Sequence, residues 1–128
     1  MRIGIVELFV DDQERALRFY TEVLGLRVVT DASYGEDGRW LTVRAPESPD
    51  GPELLLTAAT VAAAGWQTER RASGTPNLSF LADDCVRDIA LLEARGACVV
   101  SPPERRAYGG TDAVVDDGCG NLLNVHQR

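Results

Sequence analysis

Two stretches of the chain follow one plan. IVELFVDDQERALRFYTEVLGLRVV begins at Ile5, and NLSFLADDCVRDIALLEARGACVV begins at Asn77. At an offset of 72 positions Asp11-Asp12 fall on Asp83-Asp84, Arg15 on Arg87, Leu17 on Ile89 and Phe19 on Leu91. A one-residue gap then aligns Gly25 with Gly96 and Val28-Val29 with Val99-Val100. Such a repeat constrains the fold more than any single motif, because each copy is a supersecondary unit whose apolar face needs a neighbour.

Within each copy the hydrophobic period changes from two to about 3.6. Ile3 to Val10 alternates, with Ile3, Ile5, Glu7 and Phe9 on one side and Gly4, Val6, Leu8 and Val10 on the other, which is a strand pattern. Asp11 followed by Glu14 suggests a capping box. Ala16, Leu17, Phe19, Tyr20, Val23 and Leu24 then sit at helical spacing until Gly25 stops the helix. Arg27 to Tyr34 predicts a second strand, GEDG a turn, RWLTVRA a third strand and Glu53 to Thr57 a fourth, with a loop from Pro46 to Pro52.

The pattern lapses from Ala58 to Thr75, where one short helix fits Val61 to Arg70. The order then recurs as a strand from Asn77 to Ala82, a helix from Asp84 to Arg95 and a strand from Ala97 to Ser101. A loop containing Pro102-Pro103 and Tyr108-Gly109-Gly110 follows. The closing strands, Thr111 to Asp116 and Asn121 to His126, are joined by DDGCG, which suits a tight hairpin. The reading is α+β: two tandem βαβββ modules, 1-57 and 76-128, with a linker at 58-75, in a single domain spanning 1-128.

Composition narrows the function classes. With 128 residues, 45% of them hydrophobic and 26% charged, the chain is long enough to bury an ordinary core. A net charge of -7 argues against nucleic acid, whose phosphates need a basic face. No apolar run approaches the ~18 residues of a membrane span, and MRIGIVELFVDD lacks the order of a signal peptide. The expected compartment is the cytoplasm, without a membrane partner. Cys85, Cys98 and Cys119 leave one thiol over in any disulfide scheme and match no zinc spacing. They read as reduced packing residues.

The run D-x-x-x-A-x-x-F-Y-x-x-V-L-G-L from Asp12 and the closing D-x-x-G-N-x-x-x-V from Asp117, set in this duplicated order, resemble the vicinal oxygen chelate superfamily. That superfamily includes the glyoxalase, bleomycin-resistance and extradiol dioxygenase proteins. The resemblance covers nearly the whole chain. It implies two sheets curled around a cavity, and a homodimer in which a site is sometimes shared between subunits. It also implies a divalent metal held by His or Glu on the first and last strands of each module. Here those positions are Ile5, Leu55, Asn77 and Asn124. A catalytic metal needs about three imidazole, thiolate or carboxylate ligands. Ile5 and Leu55 offer no donor, and two neutral amides leave the ion's charge uncompensated. No metal or other cofactor is therefore expected, the alternative being a displaced Zn, Fe, Mn or Ni site built from Glu7, His126 and Glu53.

The remaining polar and aromatic residues define a candidate site. Glu7 shares the strand face of Ile5, and His126, the only histidine, stands in the same relation to Asn124. The two form a candidate acid-base or ligand-orienting pair, against the plainer reading that each simply meets solvent. Asn77 and Asn124 are amides in need of partners, either backbone or ligand. Trp40, Trp66 and Tyr108 supply aromatic faces for a planar or cationic ligand, although a strand tryptophan is often only core. The expected function is metal-independent small-molecule binding, such as sequestering an antibiotic or another planar or cationic metabolite. The rival is a lyase, isomerase or dioxygenase of the same superfamily.

Overall fold

The computed structural model describes residues 1–128. In chain order it comprises β1 (Ile5–Val10), α1 (Gln13–Arg18) continued by a π-helical turn over Phe19–Val23, β2 (Arg27–Tyr34), β3 (Gly38–Arg44) and β4 (Glu53–Ala58). After α2 (Val61–Ser73) come β5 (Leu78–Leu81), α3 (Cys85–Ala94), β6 (Cys98–Arg105), β7 (Thr111–Asp116) and β8 (Leu122–Gln127). One sheet has the order β1-β4-β3-β2 and the other β5-β8-β7-β6. In each, the first and last strands of the module run parallel and the rest are antiparallel. This is the duplicated βαβββ plan.

The repeat is visible in how the helices start. Asp12 and Asp84 are both extended, and each side chain accepts from the backbone N–H three residues on, at Arg15 and Arg87, both at 2.9 Å. The cap is thus Asp12, not Asp11, and Glu14 turns outward to Arg39 at 2.7 Å. The first helix also does not run regularly to Gly25. Its last five residues widen into the π turn, and the Leu24 N–H bonds the Phe19 carbonyl five residues back at 3.0 Å. Gly25 and Gly96 then leave their helices at φ 80° and 98°, where a side chain would be strained.

A second difference lies at Pro102-Pro103, which sits inside β6. Proline cannot donate to a ladder, but β6 is an edge strand and its register slips between Ser101 and Glu104. A bulged edge is where a sheet tolerates proline.

One face of each sheet packs on the helices. Leu8, Val10, Leu41, Val43, Leu54 and Leu56 from the first sheet join Ala113, Val115, Leu123 and Val125 from the second in a single apolar cluster with Ala16, Tyr20, Cys85, Ile89 and Leu92. Both modules therefore share one core. No helix is long and apolar enough to cross a membrane.

A buried polar cluster closes the junction between the modules. The Asp117 carboxylate accepts from the Tyr20 hydroxyl (2.7 Å), the Asn121 amide (2.7 Å), and the backbone N–H of Cys119 (2.7 Å) and Asn121 (2.9 Å). Asn121 also donates to the Phe9 carbonyl at 2.8 Å, and Gln67 of α2 donates to the same carbonyl at 2.7 Å and to Asn121 at 3.0 Å. Burial pushes the Asp117 carboxyl above its ordinary value, opposed by the four donors, and burial beside Asp117 pushes the Tyr20 hydroxyl well up. The D-x-x-G-N run is thus a structural clamp across the modules.

Arg71 fastens α2 to the second sheet through Asp116, at 2.6 and 3.1 Å. The Arg71 hydrogen bond holds the Asp116 carboxyl below the ordinary value of 3.8. A depressed folded value means stability that is present above the unfolded value and lost as pH falls through the folded one. Asp116→Asn should therefore melt below wild type at neutral pH, by roughly 0.5–1 kcal/mol for so exposed a pair. The gap should close on acidification, which thermal melts of both proteins across pH would show.

Candidate functional site

The sheet faces turned away from the helices carry most of the candidate residues. Because side chains alternate along a strand, burial of Leu8 and Val10 sends Ile5, Glu7 and Phe9 to the opposite face. Register places Glu53 beside Ile5, Leu55 beside Glu7, and Thr42 on the far side of Leu55. Trp40 lies two residues before Thr42 on the same face, 39% exposed. On the second sheet, burial of Leu123 and Val125 likewise turns out Asn124 and His126, with Ser79 beside Asn124 and Leu81 and Asp112 beside His126. The faces differ in depth: Thr42 and Leu55 are buried in the curl of the first sheet, whereas Ile5 is 49% exposed.

Most polar groups on these faces have partners of their own. Glu7 is exposed and accepts from the Thr57 hydroxyl at 3.2 Å. Glu53 pairs with Arg44 at 3.1 Å. The Asn124 amide donates to the Ser79 hydroxyl at 3.4 Å. Asn77 accepts from the Leu122 N–H at 3.4 Å, while its buried Nδ2 has no partner. Nowhere in the chain do three His, Cys, Asp or Glu side chains converge as a metal site requires. Glu7, Glu53 and His126 are each engaged by a different residue of their own sheet.

His126 is held by Asp112, not by Glu7. Its Nδ1 lies 2.7 Å from Asp112 Oδ1, and the Tyr108 hydroxyl donates to Asp112 Oδ2. Arg106 Nε stands 3.6 Å from the same carboxylate, and the Tyr108 and His126 rings are 6.1 Å apart. Gly110 makes room for this packing, since a Cβ there would sit 2.7 Å from His126 Cε1. Asp112 escaped notice in the sequence. Its signal was nonetheless present, because folding the last hairpin about Cys119 sets residue 112 opposite residue 126.

The other aromatics and thiols lie apart. Trp66 is on α2, with the Arg70 guanidinium 4.9 Å from its ring. Cys85 and Cys119 are buried and Cys98 is exposed, all unpaired. Burial pushes the Cys119 thiol up to about 12, which leaves it protonated and poorly nucleophilic. A groove of about 650 Å³ opens between the modules, lined by Leu24, Leu26, Phe80, Leu91, Leu92 and Arg95 among others. None of the candidate residues above lines it.

Residues 2–125 match the Glyoxalase/Bleomycin resistance protein/Dioxygenase superfamily, and the chain belongs to it. It is 36% identical over 129 residues, spanning all of both chains, to the uncharacterized protein YurT of Bacillus subtilis strain 168. Among solved structures it resembles UcmS2, with a TM-score of 0.83 at 27% identity, covering 98% of this chain and 97% of that one. It also resembles TnmS3, an antibiotic binding protein from Streptomyces sp. CB03234, with a TM-score of 0.76 at 29% identity, covering 99% and 95%.

Proposed function

We propose that the chain is a metal-independent small-molecule-binding protein that holds a planar or cationic organic ligand, such as an antibiotic, against its open sheet faces. The observation that carries this reading is the residue set at the four family metal positions: Ile5, Leu55 and two amides stand there, on sheets otherwise fully built. Trp40 supplies a flat apolar surface on the same sheet face as Ile5 and Leu55. The likeness to TnmS3, which is antibiotic-binding, supports the same class of ligand. A net charge of -7 adds a field that favours neutral or cationic molecules.

In this reading a second copy of the chain completes the cavity. Ile5, Trp40 and Leu81 leave apolar area exposed on the two faces, and such area marks a surface made to be covered. Fluorescence titration in the presence of a chelator tests the binding, using 7-methoxycoumarin as a neutral planar probe and 9-aminoacridine as a cationic one. Saturable binding of at least one is expected; no binding of either would overturn the proposal. Sedimentation equilibrium of the same preparation should show a dimer.

A further inference from the structure

We infer that Asp112, His126 and Tyr108 form a proton-accepting subsite for a planar ligand bearing an acidic hydroxyl, a phenol or an enol. The inference rests on the binding reading above and names the ligand's chemistry. An ionised carboxylate only accepts hydrogen bonds. Asp112 accepts from the Tyr108 hydroxyl on Oδ2 and faces Arg106, so the short contact at Oδ1 requires His126 Nδ1 to be the donor. In the neutral ring the proton is then on Nδ1, and Nε2 carries a free lone pair.

That Nε2 has no hydrogen-bond partner and is not among the buried unpartnered atoms. The ring lies on the open face of β8, two residues beyond Asn124, with its side chain 26% exposed and that of Asp112 only 13%. The base is therefore reachable while its orienting carboxylate is sheltered. Asp112 holds the ring at Nδ1, Gly110 leaves space beside Cε1 that a Cβ would fill, and the Tyr108 ring is centred 6.1 Å away.

The charged and titratable groups around the ring are Asp112 on β7, Arg106 and Tyr108 in the preceding loop, and Glu104 on β6, which pairs with Arg106 at 3.3 Å. When a ligand hydroxyl meets Nε2, its O–H bond breaks and an Nε2–H bond forms. The product is an oxyanion beside an imidazolium whose Nδ1–H stays on Asp112. The proton moves within the complex, so no net charge is brought into an acidic protein. This suits the chain better than capture of a preformed anion.

The single histidine makes the test direct. Long-range proton–nitrogen NMR of the ring, at about pH 8 where an ordinary imidazole is neutral, should show the Nδ1–H form in the free protein, and Asp112→Ala should abolish that preference. An Nε2–H form in free wild-type protein would overturn the inference whatever binds. At about pH 7.5, where an ordinary imidazole is mostly neutral, the phenolate-to-phenol ratio of bound 7-hydroxycoumarin should rise about tenfold over that of the free dye. His126→Gln should remove that rise, and Tyr108→Phe should reduce it. Binding of both coumarins with no phenolate rise would overturn the subsite and leave the binding reading intact. Binding of neither would overturn both.

Discussion

Asp117→Ala should destabilise the protein by about 3–5 kcal/mol, the range for removing one partner of a buried charged cluster. Asp117 is 2% exposed and accepts four hydrogen bonds. Its removal leaves the Tyr20 hydroxyl and the N–H groups of Cys119 and Asn121 without an acceptor, and each orphaned buried donor costs about 1–3 kcal/mol unless water replaces the carboxylate. The Asn121 side chain keeps its bond to the Phe9 carbonyl, so the loss stops short of a full sum. Tyr20→Phe removes a donor without orphaning one, and should cost only about 1–2 kcal/mol. Urea unfolding of the two variants would show the difference. Equal and small losses would mean that the cluster does not clamp the modules together.

The second large effect is on binding. Trp40→Ala should weaken 7-methoxycoumarin binding about 30-fold, or about 2 kcal/mol, the size expected when an aromatic anchor is lost. Stability should change little. The indole is 39% exposed on the open face, and the neighbouring Leu41 and Val43, both fully buried, face the core from the other side of β3. Trp66→Ala serves as the comparison. Trp66 lies on α2 against Arg70, away from the strand faces, and its loss should leave affinity within about threefold, below 1 kcal/mol. Equal losses in the two variants would move the ligand away from the first sheet.

The fold was legible in the sequence because its signals are local and occur twice. The aspartate before each helix, the glycine after it and the alternation of β1 each need only neighbouring residues to be read. What was not legible either has no cue in residue type or depends on residues far apart in the chain. The π turn after Arg18 has no composition cue, and Asp12 caps because its own backbone is extended, which the pair Asp11-Glu14 does not reveal. Pro102-Pro103 looked like loop because proline breaks an interior ladder, but sheet order makes β6 an edge.

The site divides along the same line. That Ile5 and Leu55 offer no metal donor, and Asn77 and Asn124 only neutral amides, is plain from residue identity. That His126 turns to Asp112 instead of Glu7 depends on hairpin register, and Glu7 finds Thr57 only because β1 and β4 run side by side. Two residues on equivalent strand faces of different sheets need not meet.

Metal content tests the central claim most directly. The protein should be purified without chelator, incubated with Zn, Fe, Mn or Ni, dialysed, and assayed for bound metal alongside coumarin affinity. A metal-independent binding protein retains well below one ion per chain, and its affinity is the same before and after chelator treatment. One tightly held ion per chain whose removal abolishes binding would contradict it.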